Sequence, residues 1–160
     1  MHPESVESAA APVRRRVTSG YYRRRGAALL VPSLWALGIA ASLEPARRGY
    51  GTHRQLDLPA CAFRVRTGWP CPSCGLTTSV AAVTRGRLAL AWRAQPFGIV
   101  LTAALTAMGV AGGVELIRGR PAVHRLRPGL WWLWCGLGGL FAGWEIVLVT
   151  GWADGTLPTH

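Results

Sequence analysis

The sequence predicts an all-α integral membrane protein, with three transmembrane helices and one or two short interfacial helices. Three observations carry that reading. Half of the 160 residues are hydrophobic, yet the net charge is +11. The charge is segregated: all 18 basic residues are Arg, gathered in clusters between nearly uncharged apolar runs. Trp also stands at both ends of the last apolar run, as in the aromatic belt of a spanning helix. A chain of this length leaves room for one compact domain and none for a large soluble catalytic domain.

The elements follow in order. Residues 1–25 are polar and end in Arg14-Arg15-Arg16 and Arg23-Arg24-Arg25, which reads as a disordered basic cytoplasmic tail meeting a membrane. The first span is 26–43, just long enough at about 1.5 Å per residue to cross a core of about 30 Å. A cleaved signal peptide is the competing reading. The apolar run is long for one, and Ala40-Ala41-Ser42-Leu43 is only a fair cleavage site, so a retained anchor is preferred. The residues expected after a twin-arginine export signal are absent. The second span is 97–117, with Pro96 placed for its first turn. The third is 129–152, with Trp131, Trp132 and Trp134 at one end and Trp152 at the other. Together, 26–152 forms the helical membrane domain, and 153–160 is a short tail.

Orientation follows from the Arg count near the membrane ends. The 1–25 tail holds six Arg, the 118–128 connector holds Arg118, Arg120, Arg125 and Arg127, and 153–160 holds none. The tail and connector are therefore expected in the cytoplasm and the C-terminus outside. The intervening 44–96 segment, placed outside, carries eight Arg, but its length weakens its vote. Within it, Leu76, Val80 and Val83, then Leu88, Ala91 and Trp92, recur at helical spacing. They predict one or two short helices in the interface, with Arg85, Arg87 and Arg93 turned toward headgroups. A re-entrant dip would need protein cover for its backbone.

Cys71-Pro72-Ser73-Cys74 is the sharpest local signal. Two thiols at i and i+3 share one side of a turn, and a helix starting after them would favour a thiolate. Three readings stay open. One is a redox dithiol, with Cys61 as a resolving thiol. The second is part of a zinc site, for which Cys61 and His53 are the nearby further ligands. The third is structural, a disulfide stapling the loop. A bridge from Cys61 to Cys71 would contribute about 2–3 kcal/mol in the chain-entropy account. Outside the cytoplasm, disulfides are favoured over reduced thiolates. The fourth cysteine, Cys135, lies inside the third span and reads as a small packing residue.

Gly68-Trp69-Pro70-Cys71-Pro72-Ser73-Cys74-Gly75-Leu76-Thr77, with Cys61 upstream and Gln95-Pro96 downstream, resembles the bacterial membrane-protein family known as domain of unknown function 2752. The resemblance covers about residues 56–117. Cys61, Cys71, Cys74, Gly75 and Thr77 stand at the family's motif positions. Thr78 stands where the family usually has Arg, which puts any role of that Arg in doubt here. The resemblance implies a multi-span protein of a bacterial cell (inner) membrane, and it brings no activity with it.

Two acids lie inside apolar runs. Glu115 has Arg118 at i+3 near a helix end, which is a sufficient local partner. Glu145 lies about two thirds along the third span, where an unpaired charge is costly. It reads either as a proton or cation relay or as a neutral acid hydrogen-bonded within the bundle. Ala103, Ala107 and Ala111, and the pairs Gly109–Gly113 and Gly139–Gly143, are candidates for close helix approach. No acid occurs from 58 to 114 while Arg64, Arg66, Arg85, Arg87 and Arg93 do. That bias suits membrane lipids, including anionic headgroups, or another membrane protein. Nucleic acid is not expected, since no binding-fold pattern accompanies the charge.

The expected function is a non-enzymatic accessory or subunit protein with a structural Cys segment. No cofactor is expected beyond zinc at that segment. A membrane thiol–disulfide oxidoreductase using Cys71 and Cys74 is the second reading, and a transporter subunit using Glu145 the third.

Overall fold

The computed structural model describes residues 19–122 and 129–155. Its described residues form helices and connecting turns, with no strand. Three helices are long and apolar enough to cross a membrane: α1 (Ser19–Ser42), α5 (Phe97–Arg118) and α6 (Leu130–Ala153). Between α1 and α5 lie a 3-10 turn (Thr52–Leu56) and three short helices, α2 (Ala62–Thr67), α3 (Leu76–Thr84) and α4 (Leu88–Ala94). The 3-10 turn and α2 carry no apolar period and were not foreseen.

The apolar runs at 97–117 and 129–152 form helices within a residue of their expected ends. The first begins at Ser19 instead of Gly26, so Arg23, Arg24 and Arg25 belong to the helix and not to the tail. Residues 1–18 of that tail, Arg125 and Arg127, and 156–160 lie outside the described residues.

Helices α1 and α5 run antiparallel as the chief packed pair. Gly26 and Gly112 permit their backbones to touch. A Cβ on Gly112 would stand 2.7 Å from the Gly26 carbonyl oxygen and 2.8 Å from the Leu30 amide nitrogen. Small residues allow such an approach, which gathers dispersion contacts along both helices. The expected Gly109–Gly113 pair is only half used: Gly109 faces Ser33, while Gly113 has Leu30 at 4.0 Å. Ala103 and Ala107 are exposed and face away from this contact.

The Gly26 end of the pair holds an ion pair that the sequence reading missed. Glu115 is wholly buried and meets Arg25 Nε at 3.5 Å, while its other oxygen accepts the Ala122 N–H at 3.2 Å. Its partner is therefore Arg25 of α1, not Arg118, because position 115 faces α1.

The two short helices expected in 75–94 are α3 and α4. Helix α3 is not simply laid on a surface: Thr78, Ser79, Val80, Ala81 and Ala82 are buried, and it packs against α1, α4 and α5. Ser79 donates to the Ala91 carbonyl at 3.0 Å, tying α3 to α4. Arg85 and Arg87 share an acidic partner. Both reach Glu44 just past α1, at 3.7 Å and 3.1 Å, and Arg85 also donates to the Leu43 carbonyl.

Helix α6 is the least enclosed of the three long helices, with Gly143 its one buried residue. Gly139 and Gly143 form a groove for Phe97, the first residue of α5. This pair thus has an intrachain use.

Candidate three-thiol site

The site is built on the loop between α2 and α3. Cys61 is the N-cap residue of α2. The loop returns through Gly68, which is in the left-handed region at φ 75°. Cys71 and Cys74 then lie in a tight turn closed by the Cys74 N–H to the Cys71 carbonyl at 2.9 Å. Gly75 follows at φ 87°, and a Cβ there would overlap the Ala94 carbonyl oxygen. Only glycine meets both demands, left-handed backbone and contact with the end of α4. This gives a physical reason for the Gly after the second Cys.

The three sulfurs converge. Cys71 Sγ is 3.4 Å from Cys61 Sγ and 3.1 Å from Cys74 Sγ, and all three lie within 4.8 Å of one another. Tetrahedral zinc at about 2.3 Å from each sulfur would space its thiolates by about 3.8 Å, so these residues suit a soft metal ion with small adjustments. His53 is not among them. Its Nε2 pairs with the Pro59 carbonyl at 3.2 Å. Among the described residues, the group of candidate ligands is the three cysteines alone. Cys135 is exposed on α6, far along the chain from this loop.

The two cysteines of the turn differ electrostatically. Burial raises the Cys71 thiol, but hydrogen-bonding with Ser73, Cys74 and Cys61 outweighs it, and its pKa falls from 9.0 to about 7. Burial raises Cys74, and its hydrogen-bonding with the neighbouring Cys71 and Cys61 thiols raises it further, to about 12. Cys71 is the more acidic centre, and Cys74 is the thiol that keeps its proton.

Residues not singled out by sequence reasoning hold this loop. Gln95 is 1% exposed and donates from Nε2 to the Pro72 carbonyl at 2.8 Å. Trp144 of α6 donates from Nε1 to the Pro70 carbonyl at 2.8 Å. Prolines flank Cys71 and lack N–H groups, so the loop offers acceptors that other elements grip. The only hint in the sequence was Gln95 standing next to Pro96 downstream of the motif. Thr78, at the position where an Arg was expected, is fully buried and shares a 2.8 Å hydrogen bond with Thr52. Thr52 in turn accepts the Ala46 N–H at 3.0 Å. Thr78 therefore ties α3 to the 3-10 turn, and an Arg side chain could not occupy this space without displacing that turn.

Glu145 is exposed on α6 and not hydrogen-bonded within the bundle. Neither Glu145 nor Glu115 touches the thiols.

The chain has no match among the curated proteins and none among the solved structures. Residues 61–109, from the first cysteine of the cluster into the middle of α5, match the family model described as "Protein of unknown function (DUF2752)", the family that the Cys71-Pro72-Ser73-Cys74-Gly75 motif resembles.

Proposed function

We propose that the chain is a non-enzymatic accessory subunit of a bacterial inner-membrane assembly. In it, Cys61, Cys71 and Cys74 clip the docking loop through one zinc ion. The observation that carries this is the three-way convergence of sulfurs on a loop whose flanking carbonyls hold α6 and Gln95. A disulfide would use two of the three thiols and leave the third without a purpose; one metal ion uses all three. Structural zinc sites close with four ligands. Three from this chain leave one for water or for a partner protein, which fits a subunit. The Arg distribution supports a loop outside the cytoplasm, where the bound zinc would have to hold the three thiolates against oxidation, and a C-terminal reporter active only outside the cytoplasm is expected to be active.

The test is metal content of the purified full chain prepared without oxidant. About one zinc per chain is expected, falling to background in Cys61→Ser and Cys71→Ser, with α6 becoming protease-sensitive. A parent protein that resists protease equally well with and without a chelator would sink the clip.

A specific observation favours one second reading, thiol–disulfide exchange. The separation of Cys71 at about 7 from Cys74 at about 12 suits an attacking thiolate and a resolving thiol. Cys71 would attack a partner disulfide and release one partner thiolate. Cys74 would then displace the second and leave a Cys71–Cys74 bridge, the partner gaining two electrons. In the reduced, metal-free chain, alkylation of Cys71 is expected to reach half its maximal rate near pH 7, with Cys74 unreacted. Under the exchange reading Cys74→Ser traps a mixed disulfide with a partner; under the zinc reading it does not.

A further inference from the structure

A cleft of about 1040 Å³ opens beside the thiol site, between the loop after α1, helix α4 and the C-terminal half of α6. Four guanidinium-bearing residues line it: Arg47, Arg48, Arg64 and Arg93. The one acid lining it is Asp154. Arg47, Arg48 and Arg93 have no ion-pair partner among the described residues, in contrast to Arg25, Arg85 and Arg87. Arg64 is held over the Tyr50 ring at 3.6 Å, which fixes its direction without neutralising it. Ile146 and Val147 of α6 and Trp92 of α4 add apolar lining.

Cations and greasy side chains lining one cleft call for an occupant that carries both an anion and an apolar part. Guanidinium forks match phosphate oxygens. The apolar lining suits an acyl chain. The depth is also right: the cleft is lined by residues just past the end of α1 and just before the start of α5, where a lipid places its headgroup.

We infer that this cleft is a binding site for one anionic glycerophospholipid, its phosphate held by Arg47, Arg48, Arg64 and Arg93 and its acyl chain lying against α6. Cys74 also lines the cleft, but among the described residues none of the four Arg hydrogen-bonds to a sulfur, so the phosphate contacts do not depend on a metal at the thiols.

The test is native mass spectrometry of the full chain in detergent, titrated with phosphatidylglycerol or phosphatidylcholine of the same chain length. Phosphatidylglycerol is expected to bind as one retained copy, at least tenfold more tightly than phosphatidylcholine. Arg47→Ala and Arg93→Ala are each expected to weaken it about fivefold, the size of one basic residue's attraction to an anionic headgroup. Arg66→Ala, on the exposed side of α2, is expected to leave it unchanged. Protease resistance equal to the parent's keeps unfolding out of the comparison. Equal retention of both lipids, an equal loss from Arg66→Ala, or displacement of the lipid by equimolar inorganic phosphate would each overturn the assignment.

Discussion

The α1–α5 pair and the attachment of α6 hold helices together by different means. In the first, glycines bring two backbones into contact and a buried carboxylate meets an Arg across the seam. In the second, a Trp and a Gln reach to carbonyls of the Cys loop, and a Phe ring fills a glycine groove. The first bond is packing between two spans. The second runs through a loop, so whatever orders the loop also orders α6. The α1–α5 pair is thus the fixed part of the molecule and α6 the conditional part.

Substitutions can separate the two. The largest loss is expected from Gly112→Val, since its Cβ would press on backbone atoms of Gly26 and Leu30 that cannot rotate away. Overpacking of this kind costs up to about 3 kcal/mol or more, and accumulation in membranes should fall sharply. Next is Arg25→Ala, which strands a buried carboxylate. Arg25 is itself 33% exposed, so water screens part of the loss. The expected cost is about 2 kcal/mol, below the range for a fully buried pair, against little change for Arg118→Ala. Thermal unfolding of the two variants side by side checks this. Equal effects would return the partner role to Arg118.

The weaker attachment should yield at lower cost and more locally. Trp144→Phe and Gln95→Leu each remove one hydrogen bond to the loop, about 1 kcal/mol. Limited proteolysis should then cut near α6 while the α1–α5 pair stays intact. Simultaneous loss of both parts would show that the molecule is one cooperative unit. The smallest effect is expected from Glu145→Lys, because the side chain is exposed on α6 and gives up no hydrogen bond or ion pair among the described residues. Insertion and accumulation should match the parent's, and a marked drop would place Glu145 in hydrocarbon.

The sequence carried the fold further than the site. Spans are legible because a bilayer demands a long apolar run whatever the tertiary structure. Cys61, Cys71 and Cys74 were legible as a set through their spacing and motif. The grip on their loop was not: Gln95 and Trp144 recognise backbone carbonyls, which every residue has, so no complementary side chain marks the partner. Glu115 was assigned the nearest Arg because local spacing is visible in a sequence while the α1–α5 seam is not. Glu44 was overlooked as the partner of Arg85 and Arg87 for the same reason, lying 41 and 43 positions upstream. Position along an apolar run also says nothing of which neighbours a side chain meets: Glu145 is exposed on α6.

The groove on α6 has a consequence for the surrounding lipid. It joins the first residue of α5 to the middle of α6. Two spans in contact end-to-middle cannot both be upright and centred in one flat bilayer. Half of a 24-residue helix is about 18 Å at the α-helical rise, far more mismatch than acyl chains absorb by stretching. Helix α6 must therefore lean, or the leaflet beside it must change thickness. Trp144 ties the same stretch of α6 to the Cys loop, so a change in that loop's shape would be carried to α6 and to the lipid beside it.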